Sequence, residues 1–583
     1  MDRPLLIFDG HCGFCRIWIE YFRKRAGGHL DFAPSQEAGH RYPQIPREDF
    51  AKSVQLVRAD GSVASGARAV FEALRWERAY ESVPALAPLS EWAYRTIAAH
   101  RDVFYWVTRL TVGTRIEPAS FAKTQWLFLR ALAAIYAIAF ASLAVQVRGL
   151  MGERGIVPVG EFLGQVKRAL GAAGYYDVPG VFWLASSDAV LQGAAWVGVA
   201  LAALVFVGRF ERAGLALLWV LYLSFSTAGQ VFLAYQWDAL LLEAGFLAIF
   251  FGRSAAQRKT IAWLYRLLAF RLYFLSGWVK IASGDPNWPA LRALDFHYRT
   301  QPLPNILAWY ADKLPRWFQT TSTFGVLAIE LAAPFLIFGP RRWRLAGAWA
   351  MLGLQALIFA TGNYTFFNLL AVALLLFVFD DRALKAGPPL GPARARFVAA
   401  RWALASFLGV AGLLRIAESM NGVLPRPLAL IAHTGPPLMI VNPYGLFAVM
   451  TTTRPEIVIQ GSNDGEYWLD YEFHYKPGDV NRAPLQVAPH QPRLDWQMWF
   501  AALDDVRSSP WFLSFAEKLL DGSPEVARLL ARNPFPDRPP RYIRALLYEY
   551  SFADRATHAA TGAWWRREPR GTFLPAIALR NFQ

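Results

Sequence analysis

The sequence predicts a multidomain chain: an N-terminal α/β domain, a polytopic α-helical membrane bundle of about nine spans, and a C-terminal β-rich, β-sandwich-like soluble domain with added helices. Three observations predict it. The 583 residues are 55% hydrophobic and only 18% charged, against roughly 25% charged in an ordinary soluble domain. The charged residues crowd into the two ends of the chain. Between them lie roughly nine apolar stretches. This composition excludes a disordered chain, and two cysteines exclude a disulfide-rich scaffold. The expected boundaries are 1–120, 121–420 and 421–583.

Local pattern defines the N-terminal domain. Leu5-Leu6-Ile7-Phe8 is an apolar strand stopped at Asp9-Gly10, and Phe14, Ile17, Trp18, Tyr21 and Phe22 then recur at helical spacing. Residues 30–33 give a second strand. Residues 54–57, the turn dipeptide Asp60-Gly61 and Ser62-Val63 form a hairpin. A helix over 67–75 follows, Pro84 and Pro88 break the chain, and one amphipathic helix runs from 91 to 110.

The apolar stretches fall at 126–147, 189–207, 213–231, 238–251, 261–282, 320–338, 345–361, 366–379 and 402–417. A crossing takes about 20 apolar residues. Met1–Phe8 lacks the pattern of a signal peptide, so the N-terminal domain is expected in the cytosol. Nine crossings from there bring Arg209/Arg212, Arg253/Arg258/Lys259, Arg341/Arg342/Arg344 and Arg394/Arg396/Arg401 to the inside, as cytoplasmic loops should be. Loops 148–188 and 284–319, and everything after about Asn421, then lie outside. The net charge of +16 is concentrated in these flanking clusters rather than in a patch with interleaved aromatics, so no nucleic-acid partner is expected. In the C-terminal part, Ile457-Val458-Ile459, Asn463-Asp464-Gly465, Trp468 and 471–475 read as strand, turn, strand, and 511–520, 524–531 and 541–550 read as helical.

The strongest chemical motif is Asp9-Gly10-His11-Cys12-Gly13-Phe14-Cys15. A strand ends at Asp9 and Cys12 falls at the mouth of the next helix, where free N–H groups and the helix dipole favour a thiolate. Cys15, one turn on, is placed to resolve a mixed disulfide on Cys12. Half a metal site and two inert core thiols are the alternatives, and no second Cys/His pair at zinc spacing is nearby. No metal or cofactor is expected. Within apolar context the chain holds Gln236, Asp238, Glu243, Arg271, Lys280 and Glu330. Asp238 and Glu243 on one helix against Arg271 and Lys280 on the next make a reasonable pairing. They read either as structural ion pairs or as a transport or catalytic site. The loop 284–319 carries Asp285, His297, Tyr298 and Gln301 and is expected on the outer face, where a lone His is ordinarily a surface or capping residue.

Two resemblances add to this. Ile7 through Cys15, with the hairpin and the helix after it, resembles the predicted thiol-disulfide oxidoreductase DCC family over 1 to about 120, which implies a thioredoxin-like fold. The proline that precedes the third strand in thioredoxins is replaced by Ser53-Val54. Tyr235-Gln236-Trp237-Asp238-Ala239-Leu240-Leu241-Leu242-Glu243, Thr361-Gly362-Asn363-Tyr364-Thr365-Phe366-Phe367-Asn368, Pro489-His490-Gln491-Pro492-Arg493-Leu494-Asp495-Trp496-Gln497-Met498-Trp499-Phe500 and Asn533-Pro534-Phe535 resemble the lipase maturation factor family, from about Trp126 to Trp565. In animals, members of that family sit in the endoplasmic reticulum membrane and help secreted lipases fold. The fused dithiol domain without a signal peptide suggests a bacterial inner membrane instead, with the C-terminal domain in the periplasm.

The expected function is a membrane-embedded folding or maturation factor with Asp9, Cys12 and Cys15 as a cytosolic redox site. Its partners would be the lipid bilayer, secreted clients such as lipases, and a thiol redox partner. Loop 284–319 and the C-terminal domain, with His490, Arg493, Asp495, Trp496 and Trp499 as its candidate residues, would form the client surface; exposed aromatics such as Trp496, Trp499 and Trp511 suit it, ordinary core packing being the alternative for the tryptophans. The alternative function is a membrane-bound enzyme or oxidoreductase acting on a lipid or quinone within the bundle, followed by a transporter.

Overall fold

Four consecutive apolar residues cannot all face one side of a sheet, so Leu5–Phe8 forms a strand, β1, buried on both faces. Leu6 and Phe8 pack with Ile19, Leu30, Leu56 and Ala69. Ile7 turns the other way onto Tyr42, Ile45, Phe50 and Val57. The helix Gly13–Ala26 carries the chain to β2 (Asp31–Pro34), parallel to β1. On the other edge β3 (Gln55–Val57) runs antiparallel to β1 and hairpins into β4 (Val63–Ser65), giving the order β2-β1-β3-β4. Asp60 fixes the turn by accepting from the Ser62 N–H (2.9 Å), and Gly61 takes φ +82°. The expected single helix 91–110 is two, Leu86–Ala99 and Arg101–Thr111. The chain leaves helical angles at His100, and Arg101 turns its guanidinium onto the Lys52 carbonyl (2.7 Å).

The computed structural model describes residues 3–26, 28–111, 113, 119–252, 254–385, 398–420, 422–433 and 436–579. Arg253, Arg394, Arg396 and the expected boundary at Asn421 lie outside them. The chain divides into two units, Met1–Ser120 with Gly339–Ala346, and Phe121–Phe338 with Gly347–Gln583.

Helices cover every apolar stretch: Ala122–Ala144, Asp188–Phe206, Glu211–Ala228, Gln236–Ile249, Ala255–Ala282, Arg316–Leu336, Arg341–Thr361, Phe367–Leu375 and Val398–Ser419. Among the described residues four are long and apolar enough to cross a membrane: Ala122–Ala144, Asp188–Phe206, Arg341–Thr361 and Trp402–Ser419. The expected count of about nine is therefore met in helices, not in helices that each satisfy a crossing. Gln236–Ile249, with 14 residues, is about 21 Å long at 1.5 Å per residue, and Ala255–Ala282 is interrupted by Arg266, Arg271 and Lys280.

Segment 284–319 is not an open loop. It folds into Leu294–Thr300 and Ile306–Asp312, whose Leu294, Tyr298, Ala308 and Trp309 pack on Tyr550, Phe552 and Trp565. Those three belong to a four-stranded antiparallel sheet of β5 (Pro455–Ser462), β6 (Leu469–Asp470), β9 (Tyr542–Phe552) and β10 (Trp565–Ile577), in the order β10-β9-β5-β6. A separate pair joins β7 (Glu472–Phe473) to β8 (Leu530–Arg532). The C-terminal part is thus strand-containing, but at this end helices, not a second sheet, cover the four-stranded sheet. The expected helix 541–550 is strand β9: its backbone pairs with β5 on one side and β10 on the other, which overrides local propensity. Of the expected helix 524–531, only Pro524–Ala527 is helical.

Candidate functional site

β1 stops at Phe8, the chain turns through Asp9-Gly10, and Cys12 becomes the last residue before the helix Gly13–Ala26. The Cys12 carbonyl accepts from the Arg16 N–H (3.0 Å), and its Sγ accepts from the Cys15 N–H (3.2 Å). The Cys15 thiol, foremost, and the Cys15 amide pull the Cys12 thiol down to about 6, helped by the Arg101 charge and opposed by burial and Asp9. Cys15 moves the other way, because its proton is held on the Cys12 sulfur and burial adds to that. The two thiols are thus pushed in opposite directions, Cys12 toward the thiolate and Cys15 toward the protonated form. Asp9 acts on both thiols through its charge, which opposes either thiolate. Its carboxylate accepts from the His11 N–H (3.0 Å) and Gln36 Nε2 (3.0 Å) and lies 3.8 Å from Arg101, so it holds the turn. An apolar cleft of about 240 Å³ opens beside Cys15, lined by Phe14, Trp18, Phe22, Val54 and Ile97. At the Ser53-Val54 position the Val54 N–H donates to the Tyr94 hydroxyl (2.9 Å).

In the second unit the expected polar cluster resolves into separate pairs. Glu243 takes Arg271 (2.6 Å) as expected, and also the Asn442 N–H (3.0 Å) and the Tyr444 hydroxyl (2.8 Å). Asp238 does not meet Arg271 or Lys280. It binds Arg493 (2.9 and 3.1 Å) and the Tyr222 hydroxyl, while Lys280 binds Glu330 (2.7 Å). Helical geometry explains the correction: at about 100° per residue, positions five apart differ by about 140° and positions nine apart by about 180°, so neither couple can face one neighbour. Gln236 clamps Gly445, donating to its carbonyl (2.8 Å) and accepting from its N–H (3.1 Å).

Of the residues expected on an exposed client surface, Arg493, Asp495, Trp496 and Trp511 are buried and His490 and Trp499 half-buried. Trp496 is 3% exposed, edge-on to Trp237, and Trp511 is 6% exposed. Trp499 donates to the Thr300 carbonyl (2.9 Å), and Asp495 accepts from the Tyr475 and Lys476 N–H groups (2.8 and 2.9 Å), burial raising its carboxyl. His490 meets Ser142 Oγ (2.9 Å), and burial, then Arg493, lowers it to about 4. Asp285 accepts from the Met450 N–H (2.7 Å), and Tyr298 is core. His297 is no surface residue. It lies 3.2 Å from the Tyr364 hydroxyl, which donates to Gln301 (2.9 Å), and burial, then Lys280, lowers it to about 4. These side chains seat the C-terminal domain on the helical one, which explains why aromatic and charged residues are dense there.

Sequence reasoning missed Arg454 and the role of Asn363. Buried Arg454 donates to the carbonyls of Arg299 (2.8 Å) and Pro302 (2.9 Å) and pairs with Glu456 (2.8 Å). Asn363 accepts from the Val487 and Ala488 N–H groups (2.7 and 3.0 Å) and donates to the Leu485 carbonyl (2.7 Å). Asn363 stood in an unusual string. A lone arginine before a proline gives no pattern to read.

Known families match the chain in three places. The lipase maturation factor transmembrane domain matches residues 123–386, the lipase maturation factor C-terminal domain 440–575, and the DCC1-like thiol-disulfide oxidoreductase 6–106. Lipase maturation factor 2 of Gallus gallus is 36% identical, over 78% of this chain and 82% of that protein. Lipase maturation factor 1 of Bos taurus is 34% identical over 80% and 91%, and lipase maturation factor 2 of Homo sapiens 35% identical over 78% and 82%. No solved structure matches. These relatives are vertebrate proteins, and the expectation of a bacterial inner membrane draws no support from them.

Proposed function

The chain belongs to the lipase maturation factor family, and on that premise we propose that it is a membrane-embedded maturation factor for secreted clients such as lipases, with a working dithiol at its N-terminal end. One observation carries the proposal beyond family membership: the Cys15 N–H lies 3.2 Å from a Cys12 sulfur whose thiol is lowered to about 6. In the reducing direction the Cys12 thiolate attacks one sulfur of a partner disulfide, and the other sulfur leaves as a thiolate. Cys15 then loses its proton and attacks Cys12 Sγ, expelling the second partner sulfur. The partner gains two electrons and the Cys12–Cys15 disulfide forms. The reverse sequence oxidises a partner dithiol.

We read the helical domain as crossing nine times, with the dithiol domain in the cytosol and the C-terminal domain on the far side. Contacts within the second unit support this. The C-terminal domain touches Ser142 and Gln146, Phe232 and Asp238, Asp285 and Thr300, and Asn363. Nine alternating crossings put all of these helix ends outside. Asp381, at an inside end, instead accepts from the N–H groups of Ala122 (2.7 Å) and Thr124 (3.0 Å), where the first helix begins inside. With Trp496 and Trp511 buried, the client surface moves to an open groove of about 690 Å³ whose lining includes Phe162, Val231 and Phe500. Asp238, Glu243 and Glu330, on which a lipid- or quinone-directed enzyme would draw, are each held in an ion pair, which favours the structural reading of these charges.

Co-expression with a secreted dimeric lipase tests the proposal. The full chain should raise secreted lipase activity, and Phe500→Glu in the groove should reduce that gain. Equal activity with and without the chain refutes it.

A further inference from the structure

The helix Arg101–Thr111 has two differently occupied faces. One is turned to the dithiol: Arg101 lies 3.8 Å from Asp9, Thr108 is buried, and the Tyr105 ring would stand 3.0 Å from a Cβ at Gly13. The other carries Val103, Trp106, Val107 and Leu110, at i, i+3, i+4 and i+7. That spacing makes one stripe, and these side chains are 61, 63, 38 and 49% exposed.

Where the stripe sits identifies its occupant. The Arg109 carbonyl, in the last turn of this helix, accepts from the Arg342 guanidinium (3.4 Å). Arg342 belongs to the same unit and to the first turn of Arg341–Thr361, one of the four helices long and apolar enough to cross a membrane. The stripe therefore ends where that helix starts. Trp343, beside Arg342, is 47% exposed. Exposed tryptophans among arginines at the mouth of a crossing helix are the composition of the headgroup boundary. Arg109 flanks the stripe, its guanidinium 5.5 Å over the Tyr105 ring.

We infer that Arg101–Thr111 lies in the plane of the bilayer, with Val103, Trp106, Val107 and Leu110 inserted into the boundary between headgroups and acyl chains. Its other face then holds the dithiol at the membrane surface. Arg101, whose charge favours the Cys12 thiolate, is the first residue of the same helix. A redox partner has to present its sulfur close to the lipid. This inference is independent of the identity of any client.

Cys12 and Cys15 are the two cysteines of the chain, so Cys12→Ser/Cys15→Ser gives a blank background for labelling. In the full chain in phospholipid vesicles, an environment-sensitive fluorophore goes on Trp106→Cys, Leu110→Cys or Asp102→Cys, Asp102 lying on the polar edge of the helix. The stripe labels should be blue-shifted and lose emission when the acyl chains are brominated, and the Asp102→Cys label should do neither. Three results overturn the inference: water-like emission from the stripe, equal quenching at all three positions, or a blue shift without bromine quenching, which means that protein covers the stripe.

Discussion

Alkylation of Cys12 should have its midpoint near pH 6, where the structure places the thiol. At pH 7 such a thiol is about nine-tenths thiolate, and an ordinary one at about 8.5 is about 3%. That is roughly a 30-fold gain in the reactive form. A weaker base is also a weaker nucleophile, and a Brønsted slope of about 0.45 over about 2.5 units returns roughly 13-fold. The net rate advantage at pH 7 is only about twofold, so the midpoint carries the test and the rate does not. Mass spectrometry of the reduced full chain, alkylated briefly at graded pH, resolves Cys12 from Cys15. Cys15→Ala should raise the midpoint most, since the Cys15 thiol is the largest stabiliser of the thiolate. Arg101→Gln should raise it less, and Asp9→Asn should lower it. The sign is that of a depressed group: the thiolate is present above about pH 6 and lost as pH falls through it. A wild-type midpoint near 8.5, or a fall on Arg101→Gln, refutes the reasoning.

Other outcomes follow from the second unit. Arg493→Met strands buried Asp238 and should cost about 3–5 kcal/mol. Arg493→Met/Asp238→Leu should recover most of it in the thermal midpoint of the detergent-solubilised chain, and a double variant as weak as the single one counts against the pair. Gly198→Val should cost about 1–3 kcal/mol by overpacking, because a Cβ there would meet the Phe140 ring at 2.5 Å. An unchanged midpoint would mean that the two helices part easily. His490 and His297, lowered to about 4 from an ordinary 6.5, are neutral in the fold. The unfolded chain takes up their protons first, so stability should drain as pH falls from 6.5 toward 4. His490→Gln should flatten that slope in acid titrations followed by tryptophan fluorescence.

Much of the dithiol site was legible in the sequence, because its causes are local. A strand end, a turn and a helix mouth within Phe8–Cys15 fix where Cys12 sits, and the next turn of helix fixes Cys15. The hairpin at Asp60-Gly61 and the helical stretches were legible for the same reason, since periodicity and turn chemistry act over a few residues. Arg101 was not, because it reaches the thiols from a helix that ends the domain. The strand at 542–552 is not legible in its own residues, because its hydrogen-bond partners are β5 and β10, one of them some ninety residues away.

By itself the sequence determined the nature of this protein: a dithiol domain, a greasy helical middle and a strand-bearing end, each written in composition and short-range pattern. Only the tertiary structure decided which charges meet, that Asp238 belongs to Arg493 and Lys280 to Glu330, and that the tryptophans near 500 are mortar rather than surface. The reason is physical. A buried charge or indole takes whichever partner the packing brings within about 3 Å, and that distance is set by the fold of the whole chain.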